Sequence, residues 1–289
     1  MAKPVLGIIG GSGFYQISGI DGLKPVELTT PFGPPSDLYY TGMIGDVGLV
    51  FLSRHGRGHK LLPSEINFRA NIFGMKTLGV GGLVSVSAAG SLRDELKPGD
   101  FVVPNQFIDR THKRPSTFFG SGLVVHVSLA DPVCPDLSKR LTAAARGAGA
   151  NVHEGGTYLC IEGPQFSTRA ESEYYRRALH ADVISMTAMQ EARLAREAEL
   201  CYATLALVTD YDCWHQVHKE VDVTDILRVL GQNVTLAQKT IAELARGLTQ
   251  PGLDCSCQSA LKDAIITERS QIPRKTISEL APLLAKYLS

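Results

Sequence analysis

The segment that decides the fold runs from Cys201 to Trp214 and reads CYATLALVTDYDCW. Its first part is a continuous apolar run, which is typical of a strand buried on both faces of a sheet. The run ends at Asp210 and Asp212, which would project from the same face of an extended chain. Two neighbouring carboxyls resist joint ionisation, so one of them should keep its proton near neutral pH and could act as a general acid. Two aspartates that merely cap a loop fit the pattern about equally well.

Six further runs have a similar apolar, β-branched composition and glycine or polar borders: VLGIIG, VGLVFLS, GLVSVSA, DFVVPNQFI, GTYLCIE and ADVISM. Segments with helical periodicity and suitable caps lie between or after them, at 64–78, 136–147, 168–179, 187–200 and 224–248. This alternation predicts an α/β fold with binding sites at strand ends. Because no linker, charge run or repeat interrupts the pattern, we expect one domain over residues 1–289.

The charge balance limits the classes of partner. Lys plus Arg and Asp plus Glu both number 29, so the chain has no net field that would draw it to nucleic acid or to an anionic membrane. Any anion site must therefore be local. The N-terminal apolar run is too short and too glycine-rich for a signal peptide, and no apolar stretch reaches the ~18 residues of a membrane span. We expect a cytosolic protein with no membrane partner.

Two segments that follow predicted strands could hold an anion. Gly10-Gly11-Ser12-Gly13 could bring backbone N–H groups and the Ser12 hydroxyl close to an anion, although a plain turn fits as well because the Walker and dinucleotide spacings are absent. Residues 54–60, RHGRGHK, begin with Arg54 and His55 and hold five basic or imidazole side chains. Arginine can grip phosphate oxygens with two N–H groups. A solvated surface loop is the alternative.

Small residues and helix starts supply further candidates. Ser87 and Ala88 begin SAAGS at the end of a predicted strand, where a ligand could lie against the backbone or the turn could simply pack tightly. Thr187 to Gln190 has the pattern of a capping box, and a helix start with a hydroxyl is also an anion site. Thr168 to Glu171 has the same form, so Ser167 could be no more than part of a helix entry.

These segments closely resemble those of one known family, in the same order along the chain. IEGPQFSTRAES (161–172), ISMTAMQEARLA (184–195) and CYATLALVTDYDCW are similar to strings of the S-methyl-5'-thioadenosine phosphorylases of the nucleoside phosphorylase superfamily. GIIGGSG, SRHGRGHKLLPSEINFRAN, SAAGSLRDELKPGD, QFIDRT and RPSTFF also match. The resemblance extends over about residues 5–248, and the tail, 249–289, matches weakly and is expected to end in a helix.

The resemblance implies a nucleoside phosphorylase fold, which is a twisted mixed β-sheet flanked by helices. It also implies a homotrimer, or a dimer of such trimers, with active sites between neighbours. The phosphate site would consist of Ser12, Arg54, His55, Ser87, Ala88 and Thr187. The purine would be read by Phe166, Ser167, Asp210 and Asp212. The ribose and methylthio group would contact Met186, Val221, Val223 and His126, of which His126 would reach into the adjacent subunit's site.

The implied reaction is the phosphorolysis of S-methyl-5'-thioadenosine to adenine and 5-methylthioribose 1-phosphate, a step of purine and methionine salvage. The partners would be a small nucleoside and inorganic phosphate. Phosphate is then the nucleophile and a co-substrate, so no metal or organic cofactor is expected. A phosphate dianion below the sugar would offset its positive charge. Protonated Asp210 would donate to purine N7, and Asp212 would accept from the 6-amino group or raise the pKa of Asp210.

Several positions depart from the family. Ser12 and Ser87 stand where several relatives have Thr, and Ser185 replaces Asn beside Met186. One alternative is a phosphorylase of 6-oxopurine nucleosides or of methylthioinosine, but such enzymes typically have Asn where this chain has Asp210. From another class, a non-catalytic nucleotide-binding module would use the glycine-rich loop and the basic cluster. Nucleic acid is disfavoured because no aromatic residues are interleaved with the basic ones.

The six cysteines are scattered along the chain, which is not typical of a disulfide scaffold. Cys255 and Cys257 are the close pair, and with no second pair nearby they supply half of a tetrahedral zinc site. The favoured interpretation is two thiols in a loose tail. The alternative is a disulfide, since a few thermostable relatives carry a similar pair.

Overall fold

The computed structural model describes residues 3–11, 19–215, 223–248, 253 and 255–288. Along these ranges the chain forms β1 (Val5–Gly10), β2 (Asp21–Val26), β3 (Tyr39–Ile44), β4 (Val47–Ser53), α1 (Phe68–Thr77), β5 (Gly82–Ser91), β6 (Phe101–Val103), β7 (Gln106–Arg110), α2 (Pro135–Gly147), β8 (Val152–Glu154), β9 (Thr157–Ile161), α3 (Arg169–Arg177), β10 (Val183–Ser185), α4 (Ala188–Glu197), β11 (Cys201–Tyr211) and α5 (Val223–Gly247). Two 3-10 helices, Ser256–Ser259 and Arg269–Gln271, precede α6 (Arg274–Glu279) and α7 (Ala281–Leu288).

The strands form one mixed sheet that branches at β5. Strand β5 pairs in parallel with β1 over its first half and with β11 along its whole length. Beyond the end of β1, the antiparallel strand β10 takes its place beside Gly90 and Ser91 of β5. The sheet continues from β1 through β4 to β3 and β2, and from β10 through β9 to β7. The carboxyl ends of β5 and β11 and the start of α4 therefore lie together at this branch.

Alternation along β11 divides the core into two layers. Cys201, Ala203, Leu205 and Leu207 belong to the apolar cluster formed with α2 and α5. Tyr202, on the opposite face, packs in the cluster that includes the apolar faces of α1, α4 and α7. Because both faces of this strand are covered, its residues are apolar without interruption, as the sequence predicts for a strand buried on both faces.

The α/β fold predicted from the sequence is confirmed, as is the mixed sheet flanked by helices. All seven apolar runs contain strands, but DFVVPNQFI forms two of them, β6 and β7, with Pro104 between. Proline lacks the N–H that a continuing ladder requires. The five predicted helices are present, with bounds that differ by a few residues. Strands β2, β3 and β8 were not predicted because they lack a long apolar run: β2 and β8 are exposed or only partly buried, and β3 is fully buried only at its two ends.

The end of β11 is fixed by side chains from three other elements. A register shift between Val208 and Asp210 marks an irregularity in its pairing with β5. Asn233 of α5 donates to the Val208 carbonyl at 3.2 Å. Trp214 donates from Nε1 to the Ser91 carbonyl at 2.8 Å, and the Arg176 guanidinium lies 4.1 Å from the centre of the Trp214 ring. These contacts fix the direction in which the strand presents its two aspartates.

The C-terminal segment packs onto the sheet rather than extending as a loose tail. Residues Val125 and Ile265 form a β-bridge, and the Leu261 backbone N–H donates to Glu199 Oε1 at 3.0 Å. Cys257 is buried and lies beside Cys134 and Cys201, so the prediction of two thiols in a loose tail is wrong. All six cysteines are described, and all are free thiols. No helix within the described ranges combines the length and apolar character needed to cross a membrane.

Candidate active site

A pocket of about 600 Å³ lies at the branch of the sheet. Residues from the ends of β5 and β11, from the start of α4 and from α5 line it. The structure brings together most of the residues that the sequence nominated, and those lining this pocket are Arg54, His55, Ser87, Ala88, Phe166, Ser167, Met186, Thr187, Asp210, Asp212 and Val223.

Three nominated residues remain to be accounted for. Ser12 and Val221 lie outside the described residues. His126 is exposed and does not line the pocket of its own chain. Its backbone N–H donates to the Ala264 carbonyl at 2.9 Å, which holds it in the bridged segment against the C-terminal region. The role of His126 across a subunit boundary therefore stays a prediction.

Asp210 occupies the end of β11 with its carboxyl inside the pocket. Burial raises the pKa of Asp210 to about 6, and the charge of Asp212 adds a smaller upward contribution to that pKa. Thr209 donates from Oγ1 to Asp210 Oδ1 at 2.6 Å, which favours the charged form in part. The sequence predicted a raised pKa from repulsion between the two carboxyls. The direction agrees, but desolvation is the main cause.

Asp212 lies just beyond the strand and is more deeply buried, with 3% of its surface exposed. Burial also raises the pKa of this carboxyl. Its Oδ2 and the Ser167 Oγ are both buried without a hydrogen-bond partner among the described residues. Both residues line the pocket. The Ser172 and Ser167 hydroxyls lie near enough to the Asp212 carboxyl to lower its pKa in part. A polar ligand in the pocket could complete the hydrogen bonding of these buried groups.

Glycine at position 90 permits this placement of the two aspartates. A Cβ atom at that position would lie 3.2 Å from Asp210 Oδ2 and 3.6 Å from the Asp212 Cβ. The first distance is tighter than ordinary van der Waals contact, so any side chain here would displace the Asp210 carboxyl. The small-residue segment SAAGS therefore makes room for the acidic pair as well as for a ligand.

Most N–H groups of the Arg54 guanidinium are already hydrogen-bonded within the protein. Its guanidinium is fully buried and forms a bidentate pair with Glu191 of α4, in which Nε donates to Oε1 and Nη2 donates to Oε2. Nη2 also donates to Ser85 Oγ at 2.8 Å, and Nη1 donates to the Val86 carbonyl at 3.1 Å. While this ion pair is intact, Arg54 cannot offer two N–H groups to a phosphate, and its role at a phosphate site stays a prediction. One Nη1 hydrogen has no acceptor among the described residues and remains for a ligand.

His55 is a neutral side chain near pH 7. Burial and, to a smaller extent, the nearby Arg54 charge lower the pKa of its imidazole to about 4. Nδ1 lies 2.8 Å from the Leu61 carbonyl, which can only accept, so the neutral ring carries its proton there. Nε2 is then an acceptor and cannot donate to an anion. The backbone N–H of His55 has no acceptor in the described part of the chain, which makes it the donor that this residue offers.

Thr187 is the N-cap of α4, but it does not form the predicted capping box. Its side chain makes no capping hydrogen bond. In a capping box the side chain of Gln190 would accept from the Thr187 backbone N–H. Gln190 instead donates to Thr111 Oγ1 at 2.8 Å and accepts from Arg114 Nη1 at 3.1 Å. The Thr187 hydroxyl and the positive N-terminal end of α4 are therefore available to a ligand in the pocket. The capping box predicted at Thr168 and Glu171 is confirmed.

Met186 lines the same pocket as the two aspartates and Thr187. A Cβ at Gly163 would collide with its Sδ, so glycine is required there for this placement. Arg114, a residue that the site prediction missed, donates to the carbonyls of Met186 and Glu162 and to the side chain of Gln190. This buried cation therefore fixes both Met186 and the start of α4. The family string RPSTFF, which contains it, was the available signal.

Apolar side chains form the mouth of the pocket. Val223 and Leu227 of α5 are each 57% exposed, and Phe166 is 45% exposed, although all three line the cavity. Large apolar groups at an open rim are typical of a surface that meets a partner or a ligand. The pocket thus has three parts: donors at the start of α4, two carboxyls at the end of β11, and an apolar opening.

This fold and pocket are those of a phosphorylase. The model of the phosphorylase superfamily matches residues 5–246. A relative from Geobacter sulfurreducens named S-methyl-5'-thioadenosine phosphorylase is 53% identical over 287 residues, which cover 99% of this chain and 100% of the relative. The chain belongs to the phosphorylase superfamily and, within it, to the S-methyl-5'-thioadenosine phosphorylases.

Solved structures agree with this assignment. A methylthioadenosine phosphorylase from an Antarctic soil metagenomic library superposes with a TM-score of 0.93 at 46% identity, covering 98% of this chain and all of that one. The methylthioadenosine phosphorylase of Schistosoma mansoni in complex with adenine superposes with a TM-score of 0.84 at 35% identity, over 90% of this chain and 98% of that one.

Proposed function

We propose that this enzyme cleaves S-methyl-5'-thioadenosine with inorganic phosphate, releasing adenine and 5-methylthioribose 1-phosphate for purine and methionine salvage. The observation that carries the proposal is the position of Asp210, a buried carboxyl whose pKa is raised to about 6, in a pocket that also holds the start of α4. A proton donor and an anion site that line one cavity match the two needs of the reaction. The named relatives support the same substrate.

At the phosphate end, the donors are largely neutral groups. The backbone N–H of His55, the hydroxyls of Ser87 and Thr187, and the N-terminus of α4 would bind phosphate oxygens. Tyr158, whose hydroxyl lies 3.2 Å from Ser87 Oγ, can donate to Ser87 so that Ser87 donates to phosphate. Arg54 would donate one N–H to phosphate. Because Glu191 already balances its charge, Arg54 would contribute this hydrogen bond rather than a free positive charge.

At the purine end, the acidic pair and Ser167 would read the base. Protonated Asp210 would donate to N7 as the bond to the sugar breaks, so the departing adenine would leave as a neutral base. The unpaired Oδ2 of Asp212 would accept from the 6-amino group. The ribose would lie against Met186, between the base and the phosphate. Phosphate itself supplies the nucleophile, so the proposed reaction uses no metal or organic cofactor.

The direct test of this function is a comparison of four nucleosides, namely methylthioadenosine, methylthioinosine, adenosine and inosine, each with and without phosphate. We expect fast adenine release from methylthioadenosine that stops when phosphate is omitted. Release that continues without phosphate would indicate hydrolysis instead. A higher kcat/KM on methylthioinosine would favour the 6-oxopurine alternative, and binding without turnover would favour a non-catalytic module.

We further propose a homotrimer in which His126 closes a neighbour's pocket. Val223 and Leu227 line the pocket and are each 57% exposed, so within the described residues this end of the pocket has an apolar wall that a neighbour could cover. His126 is exposed, is held by backbone pairing to the C-terminal segment, and is absent from its own pocket. A second chain that placed this side chain at the opening would complete the wall around the methylthio group.

Mixing two inactive variants tests this assembly. His126→Ala chains keep Asp210, and Asp210→Asn chains keep His126, so about one site in four of a randomly mixed trimer would hold both intact residues. We therefore expect mixed, refolded samples to recover a measurable part of the wild-type rate, while each variant alone stays low. Sedimentation should report a trimer. No recovery in samples whose mixing is confirmed by mass would argue that His126 acts within its own chain.

A further inference from the structure

Four cysteines from distant parts of the chain meet on the side of the sheet covered by α2 and α5. The Sγ atoms of Cys134, Cys201, Cys255 and Cys257 all lie within 4.8 Å of one another. Cys134 is the N-cap of α2, Cys201 begins β11, and the other two follow α5. Three of the four are buried and Cys255 is partly exposed. Neither the proposed reaction nor its pocket uses this four-cysteine cluster.

We propose that the four-cysteine cluster binds one Zn²⁺ ion through four thiolates. With Zn–S bonds of about 2.3 Å, the sulfurs of a tetrahedral site lie about 3.8 Å apart. The Cys134 and Cys255 sulfurs are separated by 3.6 Å, and the Cys201 and Cys255 sulfurs by 3.0 Å. A small contraction or expansion around a central ion is enough to bring these atoms to ideal positions.

The arrangement fits one metal ion better than two disulfides. A disulfide joins sulfurs in exclusive pairs at about 2.0 Å. Here the Cys255 sulfur approaches two different partners, and the remaining sulfurs are close to all the others. An iron–sulfur cluster is also a poorer fit, because its thiolates radiate from separate iron atoms and would lie farther apart than these four.

Groups around the four-cysteine cluster would support bound thiolates. The Leu137 backbone N–H donates to Cys134 Sγ at 3.5 Å, and Arg196 Nη1 donates to Cys257 Sγ at 3.6 Å. Such second-layer donors orient ligands and offset their charge. Binding releases the four thiol protons to solvent and leaves a site with two net negative charges. The N-terminus of α2 and the Arg196 guanidinium lie where they partly balance that charge.

The role of this ion would be structural. Four protein ligands fill a tetrahedral zinc, so no position remains for water or substrate. The ligands join the starts of α2 and β11 to the segment that enters the C-terminal region. That region then pairs with the strand-like segment around Val125. A metal at this point would fasten the chain end to the sheet, and the partly exposed Cys255 gives it a route of entry.

The test measures metal content and stability of the full chain, purified without a chelator or a histidine tag from zinc-supplemented cells. We expect inductively coupled plasma mass spectrometry to find about one zinc per chain. Cobalt(II) exchanged into the site should give the visible absorption bands of tetrahedral thiolate coordination. Cys255→Ser and Cys257→Ser should lose the metal and lower Tm, whereas Cys213→Ser, whose thiol lies outside the cluster, should keep the metal.

A measurement on the unaltered chain covers the case in which a variant fails to fold. Titrating its thiols with a mercurial should release zinc in step with modification of the cluster. A folded chain that carries no zinc after incubation with the ion, and gives no cobalt–thiolate bands, would overturn the proposal. Intact mass under non-reducing, denaturing conditions that reveals disulfides among these four cysteines would do the same.

Discussion

Asp210→Asn is expected to lower kcat on methylthioadenosine by ~10²–10⁴-fold, the range that a general acid contributes. The amide can still donate a hydrogen bond to N7, but it cannot transfer a proton to the departing base. Because the substitution preserves size, KM for the nucleoside should change much less than kcat. Steady-state kinetics at saturating phosphate would measure both. Asp46→Asn, which alters an exposed carboxylate paired with Lys3 outside the pocket, is the matched control and should retain the wild-type rate.

The pH dependence of this activity follows from the raised pKa of Asp210, which is about 6 in the free pocket. The acid form donates, so kcat/KM should be highest below this pKa and should fall as pH rises through it. A bound purine excludes further water and should shift the fall in kcat to higher pH. In Asp210→Asn the fall in kcat/KM with rising pH should disappear, which separates the contribution of Asp210 from the titration of phosphate itself. If the variant showed the same fall, another group would be responsible for it.

The same substitution should alter the choice of base. Adenine presents N7 as an acceptor and its 6-amino group as a donor, which match a pair of carboxyls sharing one proton. A 6-oxopurine presents acceptors at both positions and would face Asp212 without a proton between them. Leaving such a group unpaired costs ~1–3 kcal/mol, or roughly one to two powers of ten in preference. Asp210→Asn should therefore shift relative kcat/KM toward methylthioinosine. Near-normal turnover of methylthioadenosine with unchanged preference would show the general-acid role to be wrong.

The sequence predicted the core of the fold because buried strands leave continuous apolar runs. It missed β2, β3 and β8, which lack a continuous run of buried apolar residues. The nearness of Asp210 to the residues of β5 could be predicted, since both segments end parallel strands. The four-cysteine cluster could not, because its members are separated by as many as 123 positions along the chain, from Cys134 to Cys257.

The phosphate end was predicted less well for an electrostatic reason. A run such as RHGRGHK indicates positive charge, but burial decides whether that charge persists. Desolvation makes His55 neutral, and Glu191 neutralises Arg54. Glu191 carries no signal in the sequence, because a glutamate in the first turn of a helix is ordinarily a solvated residue that favours the helix dipole. Its burial becomes visible only when α4 is placed against β5.

Arg54→Ala is expected to destabilise the protein by about 3–5 kcal/mol, because it leaves Glu191 buried without its partner. The variant should also raise KM for phosphate more than KM for the nucleoside, since Arg54 lines the pocket and keeps one N–H without an acceptor among the described residues. Chemical denaturation would measure the first effect, and kinetics on the folded protein the second. Equal weakening of both substrates would count against a phosphate role for this residue.

Glu191→Gln separates the structural role of Arg54 from its role toward phosphate. The substitution keeps the shape of the side chain but removes its charge, so the buried guanidinium loses its counter-ion and the protein should again be destabilised by about 3–5 kcal/mol. Glu191 does not line the pocket, and Arg54 remains beside it. Phosphate would then become the nearest available anion for a buried cation. We therefore expect phosphate to raise Tm more in Glu191→Gln than in the wild type, and KM for phosphate to stay the same or fall. Arg54→Ala should behave in the opposite way, with little stabilisation by phosphate. If both variants lost phosphate affinity equally, the ion pair would act only by holding α4 in place, and Arg54 would have no contact with the nucleophile.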